Sequence, residues 1–249
     1  MSDLRERVLS DAPEAAFSAA LEAARARVPG AAQLLAQMYM DGKGTSPDAE
    51  AALLWYTVAA SDGDRLAMNM VGRCHELGLG TPPDATLAAT WYRLAGEQGL
   101  DWGLYNHANL LATGRGVNAD APRAFQLYLQ AASMGHAKSM NLVGRYLEEG
   151  TVTAPDPTAA LAWYQRSAEA GDFRGQASYA SVLLQRGQVE EACAWLASAL
   201  ATGSPSFMAA TLPALAASPE PRVRALAMAH AGRLVNGTVT PAALEGATA

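Results

Sequence analysis

Apolar residues along this chain recur at steps of three and four, in short stretches cut apart by glycine, proline and aspartate. Ala67 to Leu77 and Asp84 to Glu97 are two such stretches, and each has the spacing of an amphipathic helix. The Gly- and Pro-containing run between them predicts a tight connection, so the pair reads as a helical hairpin. The hairpin then repeats. Trp55-Tyr56, Trp91-Tyr92, Leu127-Tyr128 and Trp163-Tyr164 stand 36 residues apart, and so do Gly42, Gly78, Gly114 and Gly150. Two more columns keep the same step: Gly63, Gly99, Gly135 and Gly171, and Asp48, Asp84, Asp120 and Asp156. Columns held in one register over this length are the signature of a tandem repeat. A fifth unit carries Ala180, Trp195 and Gly203, with a shorter turn at Gln185-Arg186-Gly187-Gln188. The expected division is 1–30 as an N-terminal cap, five repeats at 31–66, 67–102, 103–138, 139–174 and 175–206, and 207–249 as capping helices with a loose tail. Helices in that last segment are expected to break at Pro213, Pro219 and Pro221.

Each column has a physical role. Glycine after the first helix suits a C′ residue of positive φ, and aspartate before the second helix suits an N-cap that accepts from free backbone N–H groups. Ala36, Gly72, Ala108, Gly144 and Ala180 fall in mid-helix, where glycine disfavours the helix by about 1 kcal/mol relative to alanine, so a close helix crossing is expected there. The aromatic pair on the second helix is expected to fill the space between hairpins.

Read from Ala67 through Gly72, Gly78, Gly80, Asp84, Ala88, Trp91-Tyr92, Ala95 and Gly99, the unit resembles the Sel1-like repeat, a relative of the tetratricopeptide repeat. The resemblance covers residues 31–206, with Leu127, His75 and His107 as departures from the pattern. It implies an all-α fold, a right-handed alpha-alpha superhelix whose first helices line a concave groove. It also implies work as an adaptor or scaffold, in bacteria within envelope, signalling or secretion-linked assemblies.

Composition narrows the function classes. Asp and Glu number 24 against 18 Lys and Arg, which argues against nucleic acid as a general partner. Two cysteines, Cys74 and Cys193, make no disulfide framework and lack the spacing of a zinc knuckle. No signal peptide is read at the N-terminus, and no run of eighteen apolar residues predicts a membrane span, so a cytoplasmic protein is expected. Basic residues are nearly all arginine, with Lys43 and Lys138 the exceptions, in keeping with a GC-rich bacterial genome.

By analogy with tetratricopeptide repeats, the first-helix positions facing away from the small-residue column should line the groove. They are Gln33, Asn69, Tyr105 and Asn141 and, one turn on, Gln37, Arg73, Asn109 and Arg145, with Trp102, Lys138 and Arg174 a turn earlier. Asparagine amides can hold an extended backbone and arginine can grip a carboxylate with two bonds, so the expected partner is a protein or peptide segment, acidic in character. The rows also read as an ordinary solvated face, with Glu76, Glu148 and Glu149 there to neutralise the arginines. Two other functions stand beside the adaptor. One is an accessory or immunity subunit of a bacterial enzyme, including an iron-linked one. The other is a metal-binding protein or enzyme using Cys74, His75 and His107, although no phosphate loop or Ser-x-x-Lys occurs and no cofactor is expected.

Overall fold

The computed structural model describes residues 12–235. Among them are thirteen α-helices and no strand: α1 Pro13–Arg25, α2 Ala31–Asp41, α3 Ala49–Ser61, α4 Arg65–Leu77, α5 Ala85–Glu97, α6 Asp101–Thr113, α7 Ala121–Ser133, α8 Ala137–Glu149, α9 Pro157–Glu169, α10 Phe173–Gln185, α11 Val189–Thr202, α12 Pro205–Ala216 and α13 Pro221–Val235. The described residues form two compact units that divide between Met134 and Gly135.

In the first unit α1 packs on α2, and three hairpins follow, α2–α3, α4–α5 and α6–α7. Each second helix begins on an aspartate. The Asp48 carboxylate accepts from the Ala51 N–H at 2.9 Å, that of Asp84 from Thr86 and Leu87, and that of Asp120 from Arg123. These bonds satisfy N–H groups that a helix start leaves without partners. Each first helix ends on a glycine, and Gly78 at φ 72° returns its N–H to the Cys74 carbonyl, which is the left-handed stop expected of that column. The core is built of small residues around tyrosines: Ala36, Ala52, Tyr56, Ala67, Val71 and Ala95 are all but fully buried. Of each aromatic pair, the tyrosine is the buried member; Trp55 and Trp91 lie half-buried against the core.

The second unit repeats the scheme with α8–α9 and α10–α11. Asp156 caps α9 through Thr158 and Ala159, and Ala160, Tyr164, Ala180, Leu183 and Leu196 form the core. Its first helices are capped by side chains as well. His136 Nδ1 accepts from the Ser139 N–H at 3.3 Å, and the buried Asp172 accepts from Gly175 at 2.8 Å. In the first unit Asp64 does the same for α4. Two helices close this unit, and Pro213, expected to break the chain, instead sits inside α12. Only the bond its missing N–H would make is lost there, and the helix ends three residues later at Ala216. Pro219 and Pro221 do fall at a boundary, since α13 starts at Pro221. The expected loose tail from about residue 237 lies outside the described residues.

Candidate protein-binding surface

The first helix of each hairpin turns one face to the core and leaves the other partly open. On α4, Ala67, Met68, Val71, Gly72 and Cys74 are buried, while Asn69, Arg73 and Glu76 fall together on the opposite side. The groove residues expected from sequence therefore lie on the less buried face of α4. Asn69, Arg73, Trp102, Tyr105 and Asn109 are half-buried in the first unit, as are Gln33 and Gln37 on α2. In the second unit Lys138 and Asn141 are half-buried, and Arg145 and Arg174 are exposed.

What each side chain touches divides them. The Tyr56 hydroxyl donates to Gln37 Oε1 at 2.7 Å, and the Gln37 amide donates to the Asp41 carboxylate at 2.9 Å. Tyr128 donates in the same way to Asn109 Oδ1 at 2.7 Å. In these two hairpins the polar residue of the row is the acceptor for a buried phenol. The hairpins α4–α5 and α8–α9 are wired differently. Arginine stands in that position as Arg73 and Arg145, and the phenol reaches one turn further, Tyr92 to Glu76 at 2.5 Å and Tyr164 to Glu148 at 2.7 Å.

The small-residue column varies in step with the wiring. Gly72 and Gly144 occur where the phenol bonds glutamate, and Ala36 and Ala108 where it bonds an amide. A Cβ added at Gly72 would stand 2.7 Å from the Tyr92 ring, and one at Gly144 would stand 2.6 Å from that of Tyr164. The ring thus occupies the space a methyl group would take. Burial raises the Tyr56, Tyr92 and Tyr164 hydroxyls well above the ordinary phenol range, and the bond to Glu148 adds to the rise at Tyr164. All three remain donors at neutral pH.

Further contacts tie the rows together in the first unit. Asn106 Nδ2 donates to Asn69 Oδ1 at 3.0 Å, joining α6 to α4. The residue that corresponds to Asn106 after Asn141 is Ser178, and the buried Asn141 Oδ1 has no hydrogen-bond partner. Glu76 pairs with Arg115, Arg145 Nε lies 3.8 Å from Glu149, and Arg174 lies over the ring of its own neighbour Phe173 at 4.7 Å. Trp102 and Tyr105 meet edge to face at 5.8 Å, and Tyr105 in turn approaches Tyr128 at 6.2 Å. Glu76 is thus engaged by a tyrosine and by Arg115, a loop residue that sequence reasoning passed over. The signal was present in the alternation of Ala-Gln, Gly-Arg, Ala-Asn and Gly-Arg along the column.

The metal reading finds no gathering of ligands. Among the described residues no group of three His, Cys, Asp or Glu is placed to hold a metal ion. The Cys74 thiol is fully buried and pushed up to about 11 by desolvation, with Arg73 pulling the other way. Burial lowers the His107 imidazole, and Arg93 and Arg123 lower it further.

The Sel1 repeat model matches residues 29–64, 65–100, 103–136 and 137–172, more than half of the chain. The chain belongs to the Sel1 repeat family. It is similar to c5321, a protective antigen present in uropathogenic Escherichia coli strains and displaying an SLR fold, with 25% identity and a TM-score of 0.72 over 90% of this chain. The match spans only 49% of the c5321 chain. A Sel1 repeat protein from Oxalobacter formigenes is similar at 26% identity and TM-score 0.71, over 82% of this chain and 87% of that one. The immunity protein Pa5087 from Pseudomonas aeruginosa shares the fold at 15% identity and TM-score 0.52, over 76% of this chain and 75% of that one. No curated protein matches the chain. The fold is therefore an all-α solenoid of Sel1 hairpins, a scaffold class that generally binds other proteins. Among the described residues no helix is long and apolar enough to cross a membrane.

Proposed function

We propose that this Sel1 repeat protein is a non-catalytic adaptor whose first-helix face holds an acidic segment of another protein through Asn69 and Arg73 of the first unit, and that Asn141 and Arg145 offer the same pair of side chains on the second unit by itself. The observation that carries the reading is the alternative wiring of the tyrosines. Gln37 and Asn109 are explained by packing, because each satisfies a buried phenol. Arginine, a donor only, cannot accept from a phenol, and in its two hairpins a glutamate one turn on takes over that task. Arg73 and Arg145 thus stand where the neighbouring hairpins carry the amide that accepts from the phenol, and they bring a positive charge to that position on the first-helix face. A guanidinium kept at a partly open face is suited to grip a carboxylate, and Trp102 and Tyr105 add the aromatic surface that binding hot spots favour.

The test compares affinity capture from native lysate by the unmodified chain and by the Arg73→Gln, Arg145→Gln variant. Glutamine is chosen because Gln37 occupies the equivalent place, so both chains should give the same circular dichroism. One protein held by the unmodified chain, and about tenfold more weakly or worse by the variant, is the expected outcome. Equal capture by both, or none by either, refutes the reading.

A further inference from the structure

The turn that joins one hairpin to the next contains an internal example of cation recognition. Arg65, at the start of α4, reaches across to the following turn, where its Nη1 donates to the Gly99 carbonyl at 3.0 Å and lies 3.5 Å from that of Gln98. These carbonyls sit at the C-terminal end of α5, where exposed C=O groups and the helix dipole favour positive charge. Arg65 thus closes the junction between two consecutive turns.

One repeat earlier the same junction is open. Asp62 and Gly63 stand where Gln98 and Gly99 stand, but the position of Arg65 is taken by Pro29, which has no side-chain donor. A cavity of about 540 Å³ lies at this junction, walled by Arg27, Val28, Pro29 and Gly30 on one side and by Asp62, Gly63 and Asp64 on the other. Among the described residues, neither the Asp62 carbonyl nor the Gly63 carbonyl accepts a hydrogen bond. Both lie at the C-terminal end of α3. Two carboxylates, Asp62 and Asp64, border the cavity against one cation, Arg27. That cation is held loosely, 4.0 Å from Asp62 with its side chain 81% exposed, and Arg27 has the chain's unusual non-glycine positive φ of 54° among the described residues.

We propose that this cavity is a binding site for an arginine side chain presented by a partner protein, which takes the place that Arg65 fills from within at the next junction. The guanidinium donates to the Asp62 and Gly63 carbonyls and pairs with the Asp62 carboxylate, while Arg27 swings out. The site is separate from the Asn and Arg rows and stands or falls independently of them.

The experiment is an NMR titration of the full chain, followed at the Gly63 and Asp64 amides. N-acetyl-arginine amide is the probe, N-acetyl-citrulline amide its uncharged counterpart, and inorganic phosphate the anion control. Saturable shifts with the arginine probe alone are expected. Asp62→Ala should weaken binding about tenfold, the loss of one charge-assisted bond, and Arg27→Ala should tighten it by removing the resident competitor. Pro29→Arg should abolish it by supplying the counterpart of Arg65. Equal shifts with citrulline, a response to phosphate in place of arginine, no saturable shift, or shifts unchanged by Asp62→Ala overturn the proposal. Asp62 is exposed, so its variant remains decisive even if Pro29→Arg fails to fold.

Discussion

Glycine at position 72 offers a test of how the hairpin is wired. In an ordinary helix interior, Gly72→Ala would stabilise by about 1 kcal/mol through helix propensity. Here the added methyl would stand 2.7 Å from the Tyr92 ring and 3.3 Å from the Ala88 carbonyl, in a fully packed site. Overpacking of this kind costs about 1–3 kcal/mol. Displacing the ring also strains the bond from the Tyr92 phenol to Glu76, and a hydrogen bond to a charged group contributes about 1.5–3 kcal/mol. The unfavourable effects outweigh the propensity gain, so a net loss of about 2 kcal/mol is expected, or roughly 4–8 °C in melting temperature for a domain of this size. The decisive arm is a second substitution. Gly72→Ala combined with Arg73→Gln recreates the Ala36-Gln37 arrangement, in which a phenol bonds the residue next to the alanine. It should recover at least half of the loss, a coupling that thermal and urea unfolding of the four chains would measure. A stabilised Gly72→Ala, or losses that simply add, would refute the reasoning.

Burial raises the Asp172 carboxyl above its ordinary value, with the Gly175 N–H, Arg174, Lys138 and Ser167 opposing the rise. The folded state therefore holds this proton more tightly than the unfolded one, and the stabilisation it gives is complete below the unfolded pKa and lost as pH rises through the folded one. Asp172→Asn keeps a cap acceptor and removes the titration, so its stability relative to the unmodified chain should be more favourable at pH 7 than at pH 4 in urea unfolding; an unchanged difference would contradict this. With its thiol at about 11, Cys74 is ionised in about one molecule in a thousand at pH 8, and it is fully buried. In a Cys193→Ala chain, a thiol-specific disulfide reagent should react only as fast as the protein opens and at once in denaturant; a fast native phase would count against the packing described.

Much of the fold was legible because repetition turns weak local signals into columns. A single Asp84 before an apolar stretch is an unremarkable cap candidate, but four aspartates at one step, each followed by a helix, leave little choice, and Asp48, Asp84, Asp120 and Asp156 all proved to be caps. The cap column of the first helices, Asp64, Leu100, His136 and Asp172, was written in the same register and went unread because its members differ chemically. Pro213 misled because a proline forbids one bond, which the end of a short helix can forgo. The candidate surface was only half legible. Periodicity placed Gln37 and Asn109 on the open face, but it does not reveal that a tyrosine nineteen residues later points back at them. Such a contact depends on how two helices cross, which the periodicity of either helix alone does not record.

The four tyrosine bonds share a property that bears on how such a chain can change length. Every one of them closes between the two helices of a single hairpin, Tyr56 to Gln37, Tyr92 to Glu76, Tyr128 to Asn109 and Tyr164 to Glu148. None of these bonds spans a junction between neighbouring modules, so excising or duplicating a whole 36-residue block leaves each surviving phenol with its acceptor. The phenol bonds travel with the module, so in lengthening or shortening the array by whole hairpins only the contacts between hairpins, such as Asn106 to Asn69 and Arg115 to Glu76, have to be remade.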